Sequence, residues 1–437
     1  MTRPFVLAVL LALVATACGS ETPDTLALGE DVAPEVSSET VLRLATSDPR
    51  PLLAGVAEWE RSHPTARVEI EVREPDDLGR SVLSGAEDVS FDVVALDALL
   101  RHGARENPER FIDLADFASP AERLRHPDDY VEAGLGSNDQ LFGLPLYTDS
   151  LALAVRTDIL DGEDIASLRR AQDWCEVLLI ANDFALETQN AFFASATDVA
   201  RALLAQSGDS LVPADGEANG PVESLSLEEI WDLSTATLGL DPLHPGTCEG
   251  QDDFGAMSRN LRFADEVWTE AASAGGFAAT VLRYGELEEL AVSIPETAGN
   301  WEIIDLPGVG GTTGDLTHLG VVSTSEHVAL AFDLVATLVS PESQHHAFVE
   351  GSPGLPTATE LTQSDLLTEV QSDFFGDGAI VAFADAQADR PIITDSLERQ
   401  IIIDETLAAI DRVGGGEQSS LDAWQELLAN IDIDSTS

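Results

Sequence analysis

The sequence predicts an α/β protein whose sheets are mainly parallel and flanked by helices. Three observations carry that expectation. Between Val41 and Leu96, apolar strand-like runs alternate with stretches of helical period. The chain has 437 residues, 44% of them hydrophobic, which is enough to build cores that need no metal or staple. The stretch Leu141–Leu160 runs from a segment interrupted by Gly143 and Pro145, through the polar triplet Tyr147, Thr148 and Asp149, into the alternation Leu151, Leu153, Val155. A polar patch therefore leads directly into a strand.

Taken in order, Val41–Ala45 is a short apolar strand followed by Thr46, Ser47 and Asp48. Asp48 before Pro49 marks a helix start, because the carboxylate can accept first-turn amide hydrogens and proline suits the first helical position. Leu52, Val56 and Trp59 then stand at i, i+4 and i+7, an apolar stripe that ends before Pro64. Val68, Ile70 and Val72 alternate with Arg67, Glu69 and Glu71 as a half-buried strand. Leu78–Leu83 forms the next helix, and Phe91–Leu96 is a continuous buried strand closing on Asp97. Ligands of parallel sheets gather beyond the carboxyl ends of the strands, where Ser47, Asp48 and Asp97 fall. Asp48 and Asp97 also read as simple helix caps.

Further along, Asp173 and Trp174 head a helical stretch in which Trp174 belongs to the core. Ala191–Ser207, Ser226–Leu238 and Arg259–Ala272 carry helix-period apolar residues, and Ser207–Ser224, dense in Gly, Asp and Pro, is a surface loop. Phe277–Glu289 supports two readings, a packed surface helix or a segment presenting the flat face of Tyr284 to a ligand. Helical stretches over Ser325–Val339, Ser396–Arg412 and Ser420–Ile431 follow.

Charge excludes whole classes of partner. With 79 acidic against 22 basic residues the formal net charge is −57, so nucleic acid and anionic membrane surfaces are repelled. Every basic residue other than histidine is arginine, and the acidity reads as the solvation strategy of a salt-adapted, GC-rich organism, the rival reading being recruitment of cationic ligands. Among so many carboxylates a glycosidase-like pair arises by chance at any spacing. HExxH, GxSxG and Walker A motifs are absent. The run Gly308–Gly314 does not fit GxGxxG, since Thr313 stands where the last glycine belongs. His345 and His346, adjacent on one helix, splay apart and do not converge on a metal. No catalytic residue, metal site or cofactor is expected.

The start of the chain, with Arg3 followed by an apolar run from Phe5 to Val14, reads as a signal peptide over residues 1–17; the run is too short to span a bilayer. Ala15, Thr16, Ala17 and Cys18 look like a bacterial lipobox, whose cysteine is acylated; the alternative is an ordinary secretory peptide with an incidental cysteine. Residues 18–40, rich in Glu, Asp, Ser, Thr and Pro, read as a flexible tether. Beyond it only Cys175 and Cys248 remain, either as a disulfide suited to an oxidising compartment or as two buried thiols.

The order of these segments resembles the family 1 extracellular solute-binding proteins, the maltose-binding-protein-like receptors of ABC importers. The likeness is carried by Gly143-x-Pro145-x-Tyr147, by Trp59–Pro64 before the strand ending at Asp97, and by Asp173-Trp174. Arg283-Tyr284-Gly285, Ile303–Pro307, Thr317-His318 before Leu319–Val322, Ser340–Gln344, Gly354–Thr357 and Arg390-Pro391 continue it to Asp432. The resemblance implies a two-lobed, type II periplasmic-binding-protein-like fold, with lobe 1 at 41–149 plus 314–358 and lobe 2 at 150–313 plus 359–437. Crossing strands would join the lobes at Ser150 and near Gly311. It implies a solute site drawn from Ser47, Asp48, Asp97, Tyr147, Thr148, Asp149, Tyr284 and His318. It further implies a monomer that captures a small solute, with carbohydrate the favoured class, delivers it to ABC permease subunits, and touches the membrane only through a lipid anchor. The competing readings are a receptor-like lipoprotein that signals to a membrane sensor, and a secreted acidic hydrolase.

Overall fold

The computed structural model describes residues 40–83, 91–211, 225–244, 247–248, 254–308, 316–362, 372, 374–376, 378–388 and 397–434. The leader, Cys18, most of the tether, the glycine run from 309 onward and Arg390-Pro391 lie outside the described residues. Everything below concerns the compact unit Glu39–Ser437.

The strands, in chain order, are β1 (Thr40–Thr46), β2 (Ala66–Val72), β3 (Val93–Leu96), β4 (Leu144–Thr148), β5 (Leu151–Arg156), β6 (Ala191–Phe193), β7 (Phe277–Arg283), β8 (Trp301–Ile304), β9 (Thr317–Val321) and β10 (Leu355–Pro356). They make two sheets, one in the order β10-β4-β9-β3-β1-β2 and one in the order β6-β7-β5-β8. The chain thus leaves the first sheet after Thr148 and enters the second at Leu151, returns between Ile304 and Thr317, and pairs β10 with β4 before the helix Ala379–Ala388 packs back against β5 and β8.

The two-lobed α/β class is as expected, but the sheets are mixed and not mainly parallel. β1 runs parallel to β2, with Leu42 opposite Val68 and Leu44 opposite Ile70, and parallel to β3. β3–β9, β9–β4 and β4–β10 are antiparallel, and in the second sheet β5 is antiparallel to both neighbours, leaving β6–β7 as the parallel pair. A parallel neighbour needs a crossover helix packed on the same sheet, and only the opening β1–β3 region has two such units in succession. Strands that flank a passage between sheets enter from the opposite end.

Local sequence accounts for most elements. The helix Arg50–Ser62 buries Leu52, Val56 and Trp59, the predicted stripe. Its first residue is Arg50, so Pro49 is the cap and not the first helical residue, and Asp48 Oδ1 accepts the Arg50 amide at 2.9 Å. β5 is buried along its whole length because each face meets a different core. Leu151, Leu153 and Val155 pack with Val177, Leu178 and Phe193, while the small residues Ala152 and Ala154 admit Trp268, Trp301 and Phe383.

Three helical expectations change. Ala191–Ser207 divides into β6 and the helix Ala196–Gln206, because Phe192 and Phe193 are drawn fully into the core beside β7 and Ser195 caps the helix that follows. Arg259–Ala272 is helical only from Glu266, where Asp265 accepts the Trp268 amide. Phe277–Glu289 is the strand β7, a 3-10 turn at Tyr284–Glu286 and then the helix Leu287–Ser293. Cys175 and Cys248 form a disulfide with their Cα atoms 5.7 Å apart. It ties the helix Trp174–Thr188 to a loop that the buried Asp232 holds by accepting the Leu243 and His244 amides.

Candidate functional site

A cleft of about 560 Å³ opens between the two sheets. Asp48, Arg50, Asp97, Leu99, Tyr147 and Thr317 line it from the first sheet and its helices, with Pro353 just before β10. Gly285, Gln400, Ile401 and Asp404 line it from the second, and Asp149 lines it from the passage between β4 and β5. Asp48 and Asp97 are there because β1 and β3 end there, as ligand placement in parallel sheets requires. Asp97 also serves as a cap, its Oδ1 accepting the Leu100 amide at 2.9 Å, and Asp48, one residue ahead of the Pro49 cap, accepts the Arg50 amide. The choice between cap and cleft residue was no choice: a cap at the carboxyl end of a strand is already at the cleft wall.

Strand alternation sorts the central triplet. Tyr147 and Asp149 line the cleft, whereas Thr148 between them is 1% exposed and faces the interior. Thr148 is therefore corrected to a core residue. The same rule overturns His318. It is fully buried and its Nε2 lies 2.8 Å from the Tyr130 carbonyl, while Thr317, one residue earlier on β9, faces the cleft. Burial, with the Arg101 charge second, holds the His318 imidazole well below its ordinary pKa, so it stays neutral. Ser47 is exposed and lines a different groove with Glu71, Arg73 and Asp77.

Tyr284 is also displaced from its expected role. Its ring stacks on Phe348 at 6.0 Å and meets Phe383 edge-on at 5.8 Å, inside the apolar cluster where the lobes join. Burial first, and the Asp149 carboxylate second, raise its hydroxyl pKa. Gly285 takes the place at the cleft wall. That turn is clamped from behind. Arg201 reaches Asp198 at 2.8 Å and Glu286 at 3.0 Å, and Glu286 accepts the Arg283 amide at 2.8 Å. Burial raises the Asp198 pKa against the pull of Arg201.

Sequence reasoning did not find Arg50, Leu99, Gln400, Ile401 or Asp404. Gln400 and Asp404 are one turn apart on the helix Leu397–Gly414 and hydrogen bond to each other at 2.9 Å, a spacing visible in the sequence but without meaning until the helix is placed. Arg50 pairs with Asp48 at 2.6 Å and stands 3.8 Å from Glu288 of the helix Leu287–Ser293, so it spans from one lobe to the other. Asp48, Asp97, Asp149 and Asp404 surround this one cationic lining residue. The wall thus offers many acceptors, one aromatic ring and the apolar side chains of Leu99 and Ile401. That combination suits a hydroxyl-rich uncharged molecule better than an anion.

A cleft between two mixed sheets, lined from both and crossed by several chain passages, defines a two-lobed binding protein. A family profile described as bacterial extracellular solute-binding protein matches residues 67–373, and the chain belongs to that family. No curated protein sequence matches it significantly. Among solved structures it is similar to an extracellular solute-binding protein of family 1 (22% identity, TM-score 0.74, covering 90% of this chain and 99% of the other). It is also similar to the sugar-binding protein MalE from the phytopathogen Xanthomonas citri (18%, 0.69, 90% and 96%). A third is the ABC transporter associated binding protein from B. animalis subsp. lactis Bl-04, in complex with beta-1,6-galactobiose (15%, 0.61, 89% and 96%). At these identities the structures establish the shared fold.

Proposed function

We propose that the protein captures a neutral carbohydrate in the cleft between its lobes and hands it to the membrane subunits of an ABC importer. The observation that carries the reading is the lining: Asp48, Asp97 and Tyr147 on one side face Gln400 and Asp404 on the other, with Asp149 at the passage between them, so a solute held there joins the lobes. Contacts made only when the lobes are together stabilise the closed form, and a permease can read that form. Carboxylates accept hydrogen bonds from sugar hydroxyls, and Tyr147 offers a flat apolar face to the C–H side of a ring. The solved relatives described as binding sugars support the same class of ligand. We assign 41–149 plus 314–358 to one lobe and 150–313 plus 359–437 to the other. The chain acts as a monomer outside the cytoplasm, tethered by lipid on Cys18 through residues 18–40.

The test is a thermal-shift screen of the soluble body, residues 41–437, against neutral mono- and oligosaccharides, with sugar acids and amino acids as controls. A ligand that binds only the folded state raises the melting temperature in proportion to ln(1 + [L]/Kd). A neutral sugar is expected to stabilise the protein, and Tyr147→Ala and Gln400→Ala, from opposite walls, are each expected to weaken it about tenfold by calorimetry. Stabilisation by anionic solutes alone, or wild-type affinity in both variants, would overturn the assignment.

A further inference from the structure

We propose that Gly354 is a positioning residue of the binding cleft: its lack of a side chain provides the seat for the Tyr147 ring, and so sets the wall that a cyclic solute meets. This rests on the reading of the cleft as the solute site. β10 pairs antiparallel with β4, placing Pro356 opposite Tyr147, and the buried Gly354 lies just before it. A Cβ at position 354 would stand 2.7 Å from Tyr147 Cγ and 2.9 Å from Tyr147 Cβ, closer still to Cδ2. Real side chains do not approach so closely. Gly354 is not among the residues of positive φ, so its backbone is open to any amino acid and the tyrosine ring is what excludes a side chain.

The same segment is seated on the other side by a second glycine. A Cβ at Gly285 would stand 2.8 Å from the Pro353 carbonyl oxygen, and Gly285 too has no positive φ. Gly285 belongs to the turn that Arg201 holds through Glu286. Pro353–Gly354 is therefore wedged between an aromatic side chain of the first sheet and a turn of the second, and both contacts close only because a methyl is missing. Packed interiors give little when a methyl is added, so an alanine at 354 displaces the ring toward the open volume of the cleft. The ring then occupies space the solute needs, and its face is tilted away from the stacking geometry.

The chain has three tyrosines, so protein made with 3-fluorotyrosine gives three fluorine resonances, and Tyr147→Phe identifies the one from Tyr147. Gly354→Ala is expected to move the Tyr147 resonance further than either of the other two, and to weaken a sugar found in the screen about tenfold. It is expected to add little to the loss already caused by Tyr147→Ala, because both act through the same ring. Gly285→Ala, which pushes on the Pro353 carbonyl and through it on Gly354, is expected to move the same resonance by a smaller amount; where Gly354→Ala does not fold, an unmoved Tyr147 resonance in Gly285→Ala overturns the seat. An unmoved Tyr147 resonance overturns the seat, as does a moved one with wild-type sugar affinity or with fully additive losses. Failure of the wild-type protein to bind any sugar overturns instead the reading of the cleft, and the affinity half of the proposal with it.

Discussion

His126 lies against the segment that follows β10, and its chemistry sets a pH dependence that can be worked out in advance. The ring is 3% exposed, its Nδ1 is 3.0 Å from Thr357 Oγ1, and its Nε2 has no hydrogen-bond partner among the described residues. Thr357 follows β10, and its amide donates to Gln344 Oε1 at 2.8 Å, so the histidine helps hold the segment that returns the chain between lobes. Burial above all, opposed by the Thr357 bond and reinforced by the nearby Arg125 charge, lowers the imidazole pKa from 6.5 to about 4. His318, likewise neutral, contributes in the same direction.

The unfolded chain therefore takes up a proton near pH 6.5 that the native protein refuses until about pH 4. Stability from this group is complete above 6.5, falls as the pH drops through the window, and levels off below the folded value. The slope is about 1.4 kcal/mol per pH unit, which integrates to about 2 kcal/mol between pH 7 and pH 5. The assay is urea unfolding of the wild type and of His126→Gln at both pH values. Glutamine can keep a hydrogen bond to Thr357 without titrating. Comparing the two proteins cancels the response of the 79 acidic residues, which they share. The variant should lose about 2 kcal/mol less than the wild type on acidification. Equal losses in both would refute the claim that His126 is kept neutral by its surroundings.

Other outcomes follow from the same geometry. Tyr284→Ala should lower stability by about 3 kcal/mol, since the ring fills the space between Phe348 and Phe383, and denaturant melts that match the wild type would show that the ring is not structural. Replacing both Cys175 and Cys248 by serine should lower stability by about 4 kcal/mol, the loop-closure term for a separation of 73 residues, and a loss under about 1 kcal/mol would contradict that account. Glu288→Gln should change sugar affinity less than about twofold at physiological salt, because the pair with Arg50 is solvent-exposed on both sides; a tenfold effect would show that this contact latches the closed form.

Several elements were legible in the chain because their causes are local. The stripe of Leu52, Val56 and Trp59, the helix headed by Asp173 and Trp174 and the helical stretch from Ser226 have causes that act within a few residues, and the structure has them where the pattern places them. Asp48, Asp97, Tyr147 and Asp149 were identifiable because strand ends and a Gly-x-Pro crossing mark a cleft edge. Thr148 and His318 face the interior although their neighbours line the cleft, since a strand turns alternate residues to opposite faces and the sequence does not say which face meets the gap. Tyr284 looked like a ligand platform for its flat ring, yet the same ring is what an apolar hinge recruits.

By itself the sequence determined the class of fold, the passage of the chain at Asp149–Ser150, and the ends of the strands that border the cleft. The tertiary structure alone decided the direction of strand pairing, the arrival of Gln400, Ile401 and Asp404 at the opposite wall, and the glycine seats beneath Tyr147 and Pro353. The division has a physical origin. Helix period, capping and turn chemistry are short-range and leave a mark in neighbouring residues, whereas a cleft is made by surfaces hundreds of residues apart, whose meeting is settled by how whole sheets bury their faces.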